Sequence, residues 1–65
     1  MDYDVAMRNG LEGIRIRLDR LVVERMGSWD RPKDSLDAEI WKNLVTSICE
    51  IEDAINLLDH RITGG

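Results

Sequence analysis

Few side chains of this 65-residue chain have the chemistry of a catalytic or metal-binding group. It contains one cysteine, Cys49, and one histidine, His60. No basic residue stands within six positions of Cys49 on either side, so nothing nearby in sequence would stabilise its thiolate. One cysteine and one histidine also fall short of the four ligands of a structural zinc site. The sequence therefore predicts no catalytic residue, no metal site, no cofactor and no enzymatic activity.

Arginines are the remaining group with binding chemistry. Arg8, Arg15 and Arg20 could hold a small anion or a nucleotide if their guanidinium groups converged across a symmetric subunit interface. On a single helix, however, Arg8 and Arg15 share one edge while Arg20 lies toward the other, which favours a solvated charged face. An oligomer that sequesters an anionic ligand at a subunit interface is thus the second functional hypothesis.

The charge and hydropathy of the chain restrict the kinds of partner that it can bind. Thirteen acidic and nine basic side chains give a net charge of -4, so the overall field repels phosphate backbones and disfavours nucleic acid. The chain has no long apolar run, no signal-peptide pattern and no lipidation motif. Together with the lone free thiol, these features predict a cytoplasmic protein without a membrane partner.

Two helices must position all of these side chains. Helical periodicity predicts a first helix over about 3–26, a turn over 27–34 and a second helix over about 35–62, in a single domain. Gly27 fits a helix C-terminus, Pro32 prevents an early restart, and Asp34 or Ser35 supplies an N-cap. The fold class is all-α, an antiparallel two-helix hairpin. Asn9 and Glu12 resemble a capping box, so a separate short N-terminal helix is the alternative.

One apolar stripe runs along each predicted helix. The first comprises Met7, Leu11, Ile14, Leu18 and Leu21, and the second comprises Trp41, Leu44, Ile48, Ile51, Ile55, Leu58 and Ile62. Residues spaced three and four apart share a helix face, so the two stripes predict the seam of the hairpin. Facing partners of antiparallel helices have residue numbers with a constant sum, here 62. This register places Leu18 opposite Leu44, and Arg25 opposite Asp37 at the turn.

The apolar surface is wider than one hairpin can cover. Tyr3, Val22 and Ile40 flank the seam, and Ile62 extends past every partner in the first helix. A chain of this length without disulfide or metal also has little core of its own. We therefore expect a homo-oligomer, first of all a homodimeric four-helix bundle, with a larger oligomer or a monomer as alternatives.

A second apolar set, Val5, Ile16 and Val23, lies on the far side of the first helix and is either scattered surface or a partner-binding stripe. In the turn, Trp29 and Arg31 are residue types that anchor interfaces, although Trp29 could instead cover the end of the bundle. The leading hypothesis is a small acidic module that binds and modulates, or inhibits, another protein, as bacterial and phage regulators do.

Two stretches carry a resemblance to a known family. Residues 11–26, LEGIRIRLDRLVVERM, and residues 39–58, EIWKNLVTSICEIEDAINLL, resemble in composition the first and last helices of the all-helical chorismate mutases. The resemblance implies a helical enzyme, the third functional hypothesis. That family places substrate contacts on an intervening helix, and this chain has only a short turn there, so no catalytic residue is carried over.

Overall fold

The chain forms two long helices that lie side by side in opposite directions. A computed structural model describes residues 2–27 and 30–64. Helix α1 spans Tyr3–Met26 and helix α2 spans Ser35–Ile62, and the two are in contact along their length. Within the described residues there is no strand, so the predicted all-α antiparallel hairpin is confirmed. The hairpin measures 45 × 18 × 14 Å.

Helix α1 is continuous, and the alternative of a separate N-terminal helix is wrong. The Asp2 side chain caps its start by accepting a hydrogen bond of 3.0 Å from the backbone N–H of Asp4. The helix passes through Gly10 and Gly13 without a break. It ends at Gly27, whose φ of 78° lies in the left-handed region and whose N–H donates to the carbonyl of Val23. This is the C-terminal glycine that the sequence predicts.

Helix α2 begins and ends on side-chain hydrogen bonds. Asp34 is its N-cap, and its Oδ2 accepts from the backbone N–H of Asp37 at 3.1 Å. At the other end the Thr63 hydroxyl donates to the carbonyl of Asp59 at 2.9 Å. Because these groups satisfy backbone donors and acceptors that the helix itself leaves free, both ends of α2 are set locally.

The α2 side of the seam agrees with the predicted stripe. Each of its seven members is buried or half-buried, with Ile48, Ile55 and Leu58 the most enclosed. Ala38, near the turn, is also buried. Residues of α2 that lie outside this stripe are mostly polar and exposed, so the period of three and four residues identifies the inward face of α2 correctly.

The α1 side of the seam differs from the prediction. Val22, expected at the edge of the stripe, is 0% exposed, whereas Met7, Ile14 and Leu21 are exposed. At 100° per residue, the inward direction of α1 lies about 60° round the helix from the predicted one. The rotation brings charged residues of α1 to the edge of the seam, where α2 offers charged partners.

Two ion pairs between the helices define the register. Arg8 pairs with Asp59 and Asp4 pairs with Arg61, so the residue numbers of facing partners sum to 67 and 65. The predicted sum of 62 is therefore wrong by about one helical turn. Equal apolar spacings fit several registers one turn apart, and opposite charges across the seam favour the observed one.

The shifted register changes the expected contacts at both ends. A sum of about 66 implies that Leu18 faces α2 near Ile48 rather than near Leu44. At the turn, Arg25 and Asp37 are both exposed, and the part of the chain that the structure describes contains no ion pair between them. The expected pair at the turn is thus replaced by pairs at the opposite end of the hairpin.

Candidate interaction surfaces

A continuous chain of ion pairs, the ion-pair flank, runs along one side of the seam. Arg8 donates from Nε to Asp59 Oδ1 at 2.9 Å, and its Nη2 lies 3.8 Å from Glu12 Oε2. Glu12 also accepts from Arg15, whose Nη1 donates to Asp19 Oδ2 at 2.8 Å. All five side chains are half-buried. The flank therefore joins α1 to α2 and stiffens α1 over three turns.

A second link closes the end of the hairpin away from the turn. Arg61 donates from Nε to Asp4 Oδ2 at 2.9 Å and from Nη2 to Asp4 Oδ1 at 2.7 Å. Two parallel hydrogen bonds between a guanidinium and a carboxylate fix orientation as well as distance. Sequence reasoning missed this pair and the Arg8–Asp59 pair, because it ranked registers by apolar residues alone.

The structure places the candidate anion-binding arginines apart. Arg8 and Arg15 belong to the ion-pair flank, where carboxylates already occupy them. The hydrogen bond to Glu12 is the main cause that raises the pKa of Arg15, with smaller contributions from the charges of Glu12 itself, Asp19 and Glu52. Within one hairpin, these two guanidinium groups are thus already neutralised by protein carboxylates.

Arg20 lies about 140° round α1 from Arg15, at 100° per residue. It lines a shallow depression of about 300 Å³ together with Asp19, Val23 and Glu24. Two carboxylates in that lining counter its charge. A single hairpin therefore does not bring the three arginines into one anion site.

The candidate partner stripe stays on the surface. Val5, Ile16 and Val23 share one face of α1, outside the ion-pair flank, and each is exposed, Ile16 to 43% and Val23 to 42%. Arg31 is also exposed. Trp29 lies outside the described residues. The stripe and Arg31 are accordingly free to contact another molecule in the isolated hairpin.

The opposite side of the seam carries apolar side chains and is here named the open apolar flank. Its members are Tyr3, Met7, Ile14, Leu21, Ile40 and Ile51. Of these, Ile51 is half-buried and the others are exposed. On α2, Ile40 and Ile51 lie on one edge of the inward face, and Asp59 lies on the other edge, where it pairs with Arg8. The flank members of α1 and of α2 are therefore on the same side of the hairpin, opposite the ion-pair flank.

Sequence reasoning assigned most of the open apolar flank to the interior of the hairpin. A stripe buried within one chain and a stripe buried between two chains have the same composition, so the pattern does not distinguish them. The width of the stripe, with Tyr3 and Ile40 beside the seam, was the signal that some of it must face outward.

The cysteine and the histidine do not form a cluster with other reactive side chains among the described residues. Cys49 is a free, exposed thiol, and His60 is exposed near the end of α2. Among the described residues, no group of three or more histidine, cysteine or acidic side chains could hold a metal ion. Over those same residues, neither helix combines the length and the apolar character needed to cross a membrane.

Comparison of the chain with protein-family models, with curated proteins and with solved structures gave no match.

Proposed function

We propose that this protein is a non-enzymatic interaction module that assembles with itself and binds a protein partner, whose activity it modulates or inhibits. The observation that carries the proposal is the presence of exposed apolar side chains on two separate sides of a thin, acidic hairpin. One side is the open apolar flank and the other is the stripe of Val5, Ile16 and Val23. Exposed apolar side chains that share one side of a protein often mark a protein interface.

Self-assembly supplies stability that the hairpin lacks. Among the residues that the structure describes, few side chains are buried, and only Val22 is fully enclosed. Small domains of this length depend on disulfides, metals or association. We favour a homodimeric four-helix bundle, because two flat hairpins can stack face to face and the short turn within each hairpin does not obstruct the contact.

Sequestration of an anion or nucleotide by Arg8, Arg15 and Arg20 has less support. Such a site would have to break half-buried ion pairs at Arg8 and Arg15 before a ligand could bind. A ligand would only exchange charge-assisted hydrogen bonds that Arg8 and Arg15 already make, so its binding offers little net advantage.

The partner-binding proposal is tested by affinity capture from the organism that encodes the chain, followed by mass spectrometry. The substitution Ile16→Asp places a charge in the exposed stripe, and Leu57→Asp serves as a matched control on the exposed outer face of α2. We expect the wild type and Leu57→Asp to retain the same protein in a fixed ratio, and Ile16→Asp to lose it with its helical circular dichroism spectrum intact. Retention by Ile16→Asp would contradict the proposal.

A further inference from the structure

The hairpin exposes more surface than a compact protein of its mass. The chain has an accessible surface of 5054 Å² and a mass of 7.5 kDa. A compact monomer of that mass exposes about 4,250 Å², so the excess is about 800 Å². About 800 Å² per partner is also what a stable protein–protein interface of standard size buries. The excess accessible surface of the hairpin therefore equals the area that one partner buries in a standard interface.

The shape of the hairpin leads to the same conclusion. Its radius of gyration is 14.3 Å. A compact chain of this length has a radius of gyration of about 10.7 Å, and one of twice the length has about 14.0 Å. The hairpin thus has the extent of a compact body with twice its mass, and a second layer of helices would complete that body without lengthening it.

The chemistry of the open apolar flank fits a second copy. Helix geometry places no acidic residue in this sector, either in α1 between Tyr3 and Leu21 or in α2 between Ile40 and Ile62. The carboxylates of the ion-pair flank lie across the seam from it. A chain with a net charge of -4 repels its own copies over most of its surface, and this sector is where two copies can meet without opposed carboxylates.

We infer that the open apolar flank is the homodimer interface, and that two hairpins stack on it as the two layers of a four-helix bundle. This inference rests on the proposed self-assembly and names the surface that carries it. Met7, Ile14 and Leu21 become core residues in the dimer. The ion-pair flank faces solvent, and Val5, Ile16 and Val23 remain exposed for a different partner.

Two substitutions on α1 provide a matched test. Ile14 is 45% exposed on the open apolar flank, and Ile16 is 43% exposed on the partner stripe. Multi-angle light scattering and sedimentation equilibrium are run on the wild type, Ile14→Asp and Ile16→Asp at equal concentrations. We expect the wild type and Ile16→Asp to have twice the chain mass and Ile14→Asp to have the mass of one chain. The dissociation constant of Ile14→Asp should rise by at least 100-fold.

A measurement without substitution covers the case in which Ile14→Asp fails to fold. Peroxide oxidises exposed methionines, so the oxidation rate of Met7 should fall at least fivefold as the concentration passes through the dimer transition. The rate at Met26, on the other side of the seam, should stay constant. A dimer in which Met7 remains equally reactive would overturn the assignment of the interface while leaving self-assembly intact. A wild type that stays monomeric at millimolar concentration would overturn both.

Discussion

Val22 and Val23 are adjacent residues of the same type, and the structure gives them opposite environments. Val22 is 0% exposed and Val23 is 42% exposed. Replacement by alanine removes two carbons from each, worth about 0.8 kcal/mol per carbon when fully buried. At Val22 the cavity adds about 1 kcal/mol, and the better helix propensity of alanine returns about 0.5 kcal/mol.

Val22→Ala should therefore lower the free energy of unfolding by about 2 kcal/mol. For Val23→Ala, partial exposure nearly halves the transfer loss, and the gain in helix propensity brings the net change within about 0.5 kcal/mol of zero. In a domain of this size the difference separates the two melting temperatures by about 10 °C.

Thermal and urea unfolding followed by circular dichroism, at equal chain concentration, measure both variants. Under the predicted stripe of Met7, Ile14 and Leu21, Val22 would lie only at the edge of the seam, and the two losses would differ much less. Equal losses for Val22→Ala and Val23→Ala would therefore refute the rotation of α1 described above.

Three further substitutions test local features of the hairpin by urea unfolding. Gly10→Ala should stabilise the isolated hairpin by about 1 kcal/mol, because a Cβ there meets no atom within 4 Å; Gly27→Ala should destabilise it by about 1 kcal/mol, because its φ is 78°. Asp34→Ala removes the N-cap of α2 and should cost about 1 kcal/mol, and an unchanged urea midpoint would speak against the cap. A double-mutant cycle on Asp4 and Arg61 should give a coupling below about 1 kcal/mol that shrinks as salt is added, since the Arg61 side chain is largely exposed.

Local signals account for the part of the fold that the sequence predicts well. The left-handed residue Gly27 and the capping carboxylate Asp34 act within one turn of their own helix ends, so their effects can be read from neighbours in the chain. The inward face of α2 is also predicted correctly, because most of its apolar residues stand in one stripe.

The rotation of α1 depends on interactions that apolar periodicity does not contain. Helix α1 carries apolar side chains on several of its faces, and burial of any one of these sets would stabilise the hairpin by a similar free energy. Charge pairs across the seam, Arg8 with Asp59 and Asp4 with Arg61, distinguish these alternatives. The candidate surfaces consist of the residues that the contact between the helices leaves exposed. An error in the rotation of α1 therefore changes which residues are assigned to them.

The register also sets the order in which the hairpin can close. The register derived from the ion pairs places Val22 near Leu44, 22 positions away in sequence, whereas Asp4 and Arg61 are 57 positions apart. Bringing the distant pair together first costs about 0.8 kcal/mol more in chain entropy. The helices therefore pair first next to the turn, and pairing then extends to the free ends. Changes at Asp34 should slow folding, and changes at Arg61 should mainly hasten unfolding.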